Sequence, residues 1–221
     1  GGGVLGALSA DRASAQAAGQ VGTQSEPVDV EAYDVSVANS LSTKQANSKV
    51  INDTIVWAGH SDFSSLQDAV DFAEANNYGQ VWVPTTSGGW SPVTLSDKGL
   101  RMQGIASDGL PSITDDGSNP AVTMTDRDQV VEGLSISSST DGVEPLRIES
   151  RCIATECQIT HSTTSQDALV VTGSRAAVTA CRFANRAITL TASSSNVLID
   201  SNRALGTVTD NGSNNVVGDN S

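Results

Sequence analysis

The chain has 221 residues, and its 12 basic and 25 acidic side chains give a formal net charge of −13. Nucleic acid and anionic lipid would both be repelled by this charge, which argues against them as partners and leaves partners that are neutral, basic or themselves screened by salt. No stretch reaches the roughly 20 consecutive apolar residues of a membrane span, so we expect no membrane insertion.

The kind of acidity is typical of proteins from salt-loving organisms. Aspartates outnumber glutamates, and the lysines are few: Lys44, Lys49 and Lys98. At molar salt the Debye length is about 3 Å, so repulsion between carboxylates is screened while their hydration keeps the protein in solution. We therefore expect a halophilic source. An ordinary acidic protein is the alternative.

Residues 1–50 predict an extended arm that does not fold alone. They are rich in Gly, Ala, Ser, Gln and Asn, and no sustained apolar periodicity runs through them. Ordering the backbone costs about 1–2 kcal/mol per residue, which this segment cannot offset by itself. We expect it to dock as a strand on a neighbouring subunit or on another shell protein. The residues expected to be buried in that contact are Val28, Val30, Val35, Val37 and Leu41.

A helix and a short strand open the second region, residues 51–221. Ser64 and Gln67 fit a capping box, which predicts a helix over Ser64–Asn77. One face of this helix is apolar at helical spacing and should be buried: Leu66, Ala69, Val70 and Ala73. The strand Val81-Trp82-Val83 follows, and we expect Trp82 in the core.

From about residue 100 the sequence repeats. One set of aligned segments begins at Met102, Val131, Ala154, Val178 and Ile199, and it recurs every 21 to 29 residues. A second set is in phase with the first and begins at Val122, Leu146, Leu169 and Ile188. Periods of this size predict a solenoid whose equivalent strands stack about 4.8 Å apart.

The three cysteines fit this repeat without redox chemistry or a zinc site. Cys157 and Cys181 occupy the same repeat position as Leu134 and Asn202, and free cysteine behaves as a small buried apolar side chain. We expect Cys157 and Cys181 to stack in the interior as free thiols.

The chain resembles the pectate-lyase-like superfamily of right-handed parallel β-helices. The resemblance rests on the helix with Leu66-Gln67-Asp68-Ala69-Val70, the strand from Gly79 to Pro84 and the V-x-G-L-x-I sequence from Val131 to Ile136. It covers about residues 51–221. It implies an all-β fold, a right-handed parallel β-helix capped by a short N-terminal helix and preceded by the arm.

Residues 31–43 resemble the N-terminal attachment regions of β-helical proteins encoded by viruses of haloarchaea. Tailspikes, fibres and capsid turrets are among those proteins. The resemblance implies a virion protein that takes part in attachment or host recognition, often as a homo-oligomer.

Enzymes of this fold commonly cleave acidic polysaccharides with carboxylates, calcium and an arginine. The best local matches are Asp126-Arg127-Asp128 and Asp115-Asp116, and we interpret both as solvated turns because Asp, Gly and Asn are typical turn residues. We therefore predict no catalytic residue, no metal ligand and no cofactor. His60 and His161 lack a second ligand at metal-binding spacing and are expected on the surface.

Trp90 is the candidate for carbohydrate binding. It lies in the Gly-rich segment Ser87-Gly88-Gly89-Trp90, where an indole ring could stack on a sugar face. Interface packing is the alternative.

The function expected from these features is that of a structural protein on the surface of a virion. Capsid turret, spike and tail fibre are the types considered, with recognition of host surface glycans and assembly as a trimer or vertex pentamer with other shell proteins. Two alternatives remain, a secreted halophilic polysaccharide lyase or hydrolase and a carbohydrate-binding protein of a halophile's cell envelope. Fold does not separate them, since function depends on the site.

Overall fold

The computed structural model describes residues 20–23, 26–29, 49–52, 54–105, 109–163 and 166–221. The chain divides into two compact units, Gly1–Ser48 and Lys49–Ser221. In the first unit, β1 (Gln20–Thr23) and β2 (Glu26–Asp29) pair antiparallel, with Val21 opposite Val28. Of the residues expected to dock, Val28 thus lies in β2, and Val30, Val35, Val37 and Leu41 lie outside the described residues. Their docking remains a prediction.

The second unit is a parallel β-solenoid of about seven turns with one short helix, α1 (Leu66–Ala75). Its first strands are β3 (Val50–Ile51), β4 (Ile55–Trp57), β5 (Gln80–Pro84), β6 (Val93–Leu95), β7 (Arg101–Ile105), β8 (Ser112–Thr114) and β9 (Val122–Met124). The next are β10 (Val130–Glu132), β11 (Ser135–Ser138), β12 (Leu146–Ile148), β13 (Ile153–Thr155), β14 (Gln158–His161) and β15 (Asp167–Val171). The last are β16 (Ala177–Thr179), β17 (Arg182–Leu190), β18 (Leu198–Asp200), β19 (Arg203–Asp210) and β20 (Val216–Val217).

Two sheets run along the solenoid. Sheet 1 has the order β20-β18-β16-β13-β10-β7-β5-β4-β3, and all its pairs are parallel except β3 with β4. Sheet 2 has the order β6-β9-β12-β15-β17-β14-β11-β8, with β19 paired to β17. The long strand β17 joins the β6-β9-β12-β15 part of this sheet to the β14-β11-β8 part. A middle coil therefore presents three strand positions, as β10, β11 and β12 do.

The registers confirm both sets of repeats. In sheet 1 the aligned residues are Met102, Val131, Ala154, Val178 and Ile199. In sheet 2 they are Val122, Leu146, Leu169 and Ile188. Stacking at constant register places each of these side chains on its equivalent in the next coil, and all nine are fully buried. The right-handed parallel β-helix expected from the sequence is therefore the fold of this unit.

Helix α1 covers the N-terminal coils with the apolar face that its spacing predicts, since Leu66, Ala69, Val70 and Ala73 are buried. Its start differs from the prediction by two residues. Ser65 is the N-cap, and its hydroxyl accepts from the Asp68 N–H while the Asp68 carboxylate accepts from the Ser65 N–H. The predicted capping box of Ser64 and Gln67 was wrong, because Asp68, three residues after Ser65, supplies the carboxylate that accepts from the N-cap N–H. A carboxylate in the first turn is also stabilised by the positive end of the helix dipole.

Two further expectations were wrong. Trp82 lies on the outward side of β5, because the alternation of the strand directs Val81 and Val83 into the core. His161 is buried, with 2% of its surface exposed. Its Nε2 lies 3.1 Å from the carbonyl oxygens of Thr140 and Val143, and its Nδ1 accepts from the Thr163 N–H at 3.0 Å. These partners fix a neutral tautomer with the proton on Nε2.

The corners between strands are tight and use left-handed backbone. After the sheet 1 strands, the corner residues with positive φ are Gly133, Glu156, Ala180 and Ser201. The next residue in each coil points inward, and this interior column contains Leu134, Cys157, Cys181 and Asn202. All three cysteines are free and buried. Within the described part of the chain, no helix has the length and apolarity to cross a membrane.

Candidate functional site

Arginines line one corner of the solenoid, where the chain passes from sheet 2 into sheet 1. Arg127 follows β9, Arg151 follows β12 and Arg175 follows β15, so three successive coils each contribute one guanidinium. Coils stack about 4.8 Å apart, so these side chains form a ladder about 10 Å long between backbones. We call Arg127, Arg151 and Arg175 the arginine ladder. All three are exposed.

The ladder borders an open groove of about 590 Å³. Besides the three arginines, the groove is lined by Glu149, Ser150, Thr172, Gly173, Ser174, Ser195 and Asn196. Among the described residues that line the groove, Glu149 is the one carboxylate, in a chain where acidic residues outnumber basic ones by about two to one. The groove is thus a basic, hydroxyl-rich strip on an acidic protein.

Arg151 is held by a neighbour in the preceding coil. Its Nε donates to Asp128 Oδ1 at 2.8 Å and its Nη2 donates to Asp128 Oδ2 at 2.7 Å. The hydrogen bonds from Arg151 lower the pKa of Asp128. This two-point pairing fixes the plane of the guanidinium and leaves three of its five N–H groups able to donate elsewhere.

The outer two arginines of the ladder form no ion pair within the described residues, although the charge of Arg127 acts on the nearby Asp128 carboxylate and helps to lower its pKa. Within the described residues, no carboxylate oxygen lies within 4.0 Å of the guanidinium nitrogens of Arg127 or Arg175. An anion that entered the groove would not have to displace an existing partner from either side chain. Two unpaired guanidiniums on either side of an anchored one suit a ligand with more than one negative group.

Serines occupy the position before the corner residue in successive coils. Ser174, Ser195 and Ser213 are joined by parallel bridges, and Ser195 Oγ donates to Ser174 Oγ at 2.9 Å. Ser150 holds the matching place before Arg151. The hydroxyls supply donors and acceptors that can bond neutral polar groups beside the arginines.

Gly173 permits the close approach of two coils at the groove. A Cβ at this position would collide with the backbone of Glu149 and Ser150 in the coil below. Gly173 is buried although it lines the groove. A larger residue would therefore push the ladder coils apart.

The acidic turns considered from the sequence are occupied by local hydrogen bonds. Asp126, Arg127 and Asp128 lie in the turn between β9 and β10, and Asp128 is paired with Arg151. Asp116 accepts from the N–H groups of Ser118 and Asn119 at 2.9 Å each.

Hydrogen bonds lower the pKa of the Asp115 and Asp116 carboxyls. For Asp116 the cause is hydrogen bonding, the Asn119 side chain first. For Asp115, burial acts to raise the pKa, but hydrogen bonds from Thr140, Ser139 and Gly117 outweigh it and the pKa is lowered. The structure brings Arg127 to the groove, pairs Asp128 with the groove residue Arg151, and leaves Asp115 and Asp116 in a separate turn. In the described residues, no three His, Cys, Asp or Glu side chains are grouped as metal ligands.

Trp90 lies away from the groove. It is half-buried against the core and forms a parallel bridge with Ile113, and its Nε1–H donates to the Pro84 carbonyl at 2.8 Å. Only the exposed part of its ring is available to a sugar. The carbohydrate role of Trp90 therefore remains a prediction for a position separate from the arginine ladder.

The arginine ladder was missed in the sequence although a signal was present. The pairs Ser150-Arg151 and Ser174-Arg175 stand 24 residues apart, and each arginine lies two residues before a strand of sheet 1. Aligning the residues before each strand would have found Arg151 and Arg175. Arg127 lies three residues before β10, and this alignment puts Asp128 in its place.

Comparison of the chain with family models, with curated proteins and with solved structures found no match.

Proposed function

We propose that this protein is a structural surface protein of a virion, of the turret, spike or tail-fibre type found in viruses of haloarchaea, and that its groove binds an acidic glycan of the host surface. The observation that carries the proposal is the arginine ladder, one guanidinium per coil along an open groove. The solenoid supports it by holding the three coils at fixed spacing through parallel strand pairing.

An acidic glycan suits the groove for a chemical reason. Arginine binds carboxylate or sulfate groups with paired hydrogen bonds, and a chain of acidic sugars repeats such groups along its length as the ladder repeats its guanidiniums. The serine and threonine hydroxyls of the groove match the hydroxyls of the sugars between those groups.

The net charge of −13 does not oppose such binding in the expected surroundings. At molar salt the Debye length is about 3 Å, so repulsion from distant carboxylates is screened. Direct contacts of a ligand with Arg127 and Arg175 are screened less than this long-range repulsion, because a bound ligand excludes part of the salt and water from the contact.

The test is calorimetric titration of the full chain with three oligosaccharides of equal length, one sulfated, one containing uronic acid and one neutral. The variant is Arg127→Ala/Arg175→Ala, which removes the two unpaired guanidiniums. Its matched control is Arg203→Ala, which removes an exposed arginine that does not line the groove. Because a hydrogen bond to a charged group contributes about 1.5–3 kcal/mol, we expect the double variant to bind acidic sugars at least about tenfold more weakly.

Equal binding of the neutral sugar, or an unchanged affinity of the double variant, contradicts the glycan proposal. Unsaturated sugar products appearing on incubation would favour the lyase alternative. The virion location is tested separately, by immunogold labelling of particles with an antibody against the solenoid. Labelling of cell envelopes instead of particles contradicts it.

A further inference from the structure

A second column of polar side chains lies at the corner where the chain passes from sheet 1 into β14, β17 and β19. Gln158, Arg182 and Arg203 are the first residues of these three strands. The register pairs Gln158 with Arg182 and Arg182 with Arg203, so equivalent backbones are about 4.8 Å apart. Both arginines are exposed. Arg182 and Arg203, which we call the arginine pair, therefore stand side by side on the surface of adjacent coils.

Neither member of the arginine pair has a partner among the residues that the structure describes. No carboxylate oxygen lies within 4.0 Å of either guanidinium, and neither side chain forms a hydrogen bond with a described residue. The two guanidiniums thus face each other without compensation, although the chain has 25 acidic residues. Like charges at directly adjacent strand positions destabilise a sheet. An anion bound between the two guanidiniums would remove this repulsion.

The arginine pair borders an open pocket of about 560 Å³. Gln158 also lines this pocket, and its amide group supplies a further hydrogen-bond donor beside the guanidiniums. Among the described residues of the lining, Glu156 is the one carboxylate, so two positive groups and one negative group meet here. The pocket therefore suits an anion whose charge is compact, because a polyanion that extended beyond the pair would be repelled by Glu156.

We propose that the arginine pair binds one tetrahedral oxyanion with a double negative charge, such as sulfate or hydrogen phosphate, and that this anion ties β19 to β17. A guanidinium donates two parallel hydrogen bonds to such an anion, and two guanidiniums together neutralise its charge. A repulsive contact between adjacent coils then becomes an attractive one. The site is separate from the groove, because neither arginine lines the groove. The proposal therefore does not rest on glycan binding.

The first test is proton–nitrogen NMR of the arginine side chains while the full chain is titrated with sodium sulfate, at an ionic strength held constant with sodium chloride. The Nε–H signals of Arg182 and Arg203 should move together and saturate with one dissociation constant. Arg182→Gln should weaken the response of Arg203 at least about tenfold, and Arg203→Gln should do the same to Arg182, because each removes hydrogen bonds between charged groups.

Lys98→Gln is the matched control for the loss of one positive charge. Lys98 is exposed and does not line the pocket. The sulfate response of the arginine pair should therefore be the same in Lys98→Gln as in the parent. A response that is weakened equally in this control would show that net charge, rather than the pair, governs the binding, and would contradict the proposal.

A second titration distinguishes a free anion from a sulfate group on a larger molecule. The probe is the sulfated oligosaccharide used for the groove. It should shift the Nε–H signals of Arg127 and Arg175 and leave those of Arg182 and Arg203 far from saturation. If the arginine pair responds to the oligosaccharide at a lower concentration than to sulfate, the pair belongs to a glycan-binding surface and the proposal is wrong.

Urea unfolding tests the link between the anion and stability. In dilute chloride, Arg182→Gln should be at least as stable as Lys98→Gln, because both lose one charge and only the first removes the repulsion with Arg203. Sulfate stabilises proteins in general, so the specific effect is the difference between variants. At about nine times the dissociation constant, sulfate should lower the unfolding equilibrium constant of the parent and of Lys98→Gln at least about fivefold more than that of Arg182→Gln.

An NMR response that rises without saturation, or that neither Gln substitution changes, overturns the proposal. An equal gain of stability in sulfate for all the variants overturns it as well. Loss of saturable sulfate binding in both Gln variants, with acidic sugars still bound at the groove, supports it. Loss of glycan binding in the Arg127→Ala/Arg175→Ala variant with an unchanged sulfate response of the arginine pair also supports it, because the two sites then fail independently.

Discussion

Arg151 and Asp128 lie 23 positions apart in the sequence and form a two-point ion pair between adjacent coils. The distances of 2.8 and 2.7 Å are those of charge-assisted hydrogen bonds. Asp128 has a φ of 64°, so the carboxylate is presented from a left-handed corner. The pair therefore orients the middle guanidinium of the ladder from the coil before it.

We expect this pair to stabilise the protein in a pH-dependent way. The hydrogen bonds from Arg151 lower the pKa of Asp128 in the folded state. A carboxyl whose folded pKa lies below its unfolded pKa contributes stability above the unfolded value, near ~3.9, and loses it as the pH falls through the folded value. Urea unfolding of the parent and Asp128→Asn should differ at pH 7, and the difference should shrink as the pH falls below about 3.9. A difference that is constant with pH contradicts this account.

Arg151→Lys tests the geometry of the same pair. Lysine keeps the charge but has no planar fork for two parallel hydrogen bonds. The pKa of Asp128, followed by carbon NMR of its carboxyl, should rise toward its ordinary value in this variant. If the pKa stays where it is in the parent, the pair acts through charge alone.

We expect Asn202 to be the polar side chain that contributes most to the stability of the last coils. It is 1% exposed, its Oδ1 accepts from the Cys181 N–H at 2.9 Å, and its Nδ2 donates to the Val178 carbonyl at 3.0 Å. Asn202→Ala leaves the buried Cys181 N–H without this acceptor and removes a hydrogen bond to the Val178 carbonyl, and a buried group left unsatisfied costs about 1–3 kcal/mol. The free energy of unfolding should fall by at least about 1 kcal/mol, while Asn211→Ala, at an exposed turn, changes it by less than about 0.5 kcal/mol. Similar effects of the two variants would contradict the assignment.

Gly173→Ala is expected to destabilise the coils that form the groove, whereas Gly88→Ala is expected to leave the stability unchanged. Its methyl group would collide with the backbone of Glu149, whereas a Cβ at Gly88 meets nothing within 4 Å. Overpacking of this kind costs about 1–3 kcal/mol. Thermal unfolding should show Gly173→Ala destabilised relative to Gly88→Ala, together with weaker binding of acidic sugar. Equal stability of the two variants would show that the coils separate here without cost.

The three thiols are expected to be unreactive in the folded protein and all free after unfolding. Cys152, Cys157 and Cys181 are buried, and burial raises the pKa of Cys152 to about 11. The hydrogen bond with Cys181 and burial together raise the pKa of Cys157. A thiol reagent at pH 8 should find no thiol in the folded, unreduced chain and three in denaturant. Fewer than three in denaturant would reveal a disulfide.

The solenoid and its strand columns could be predicted from the sequence. Burial in a β-helix depends on alternation within a strand and on repetition between coils, and both patterns can be read along one chain. Met102, Val131, Ala154, Val178 and Ile199 stack as their alignment predicts. The apolar face of α1 followed from helical spacing for the same reason.

The side-chain contacts between coils could not be predicted in this way. A contact such as that of Arg151 with Asp128 depends on the conformation of each corner. Because the coils differ in length, such contacts do not recur at a constant sequence separation. The same holds for His161, whose buried ring forms hydrogen bonds with the carbonyls of Thr140 and Val143 in the preceding coil. The arginine ladder likewise exists only because successive coils turn from sheet 2 into sheet 1 at the same corner, which brings Arg127, Arg151 and Arg175 from distant segments to one groove.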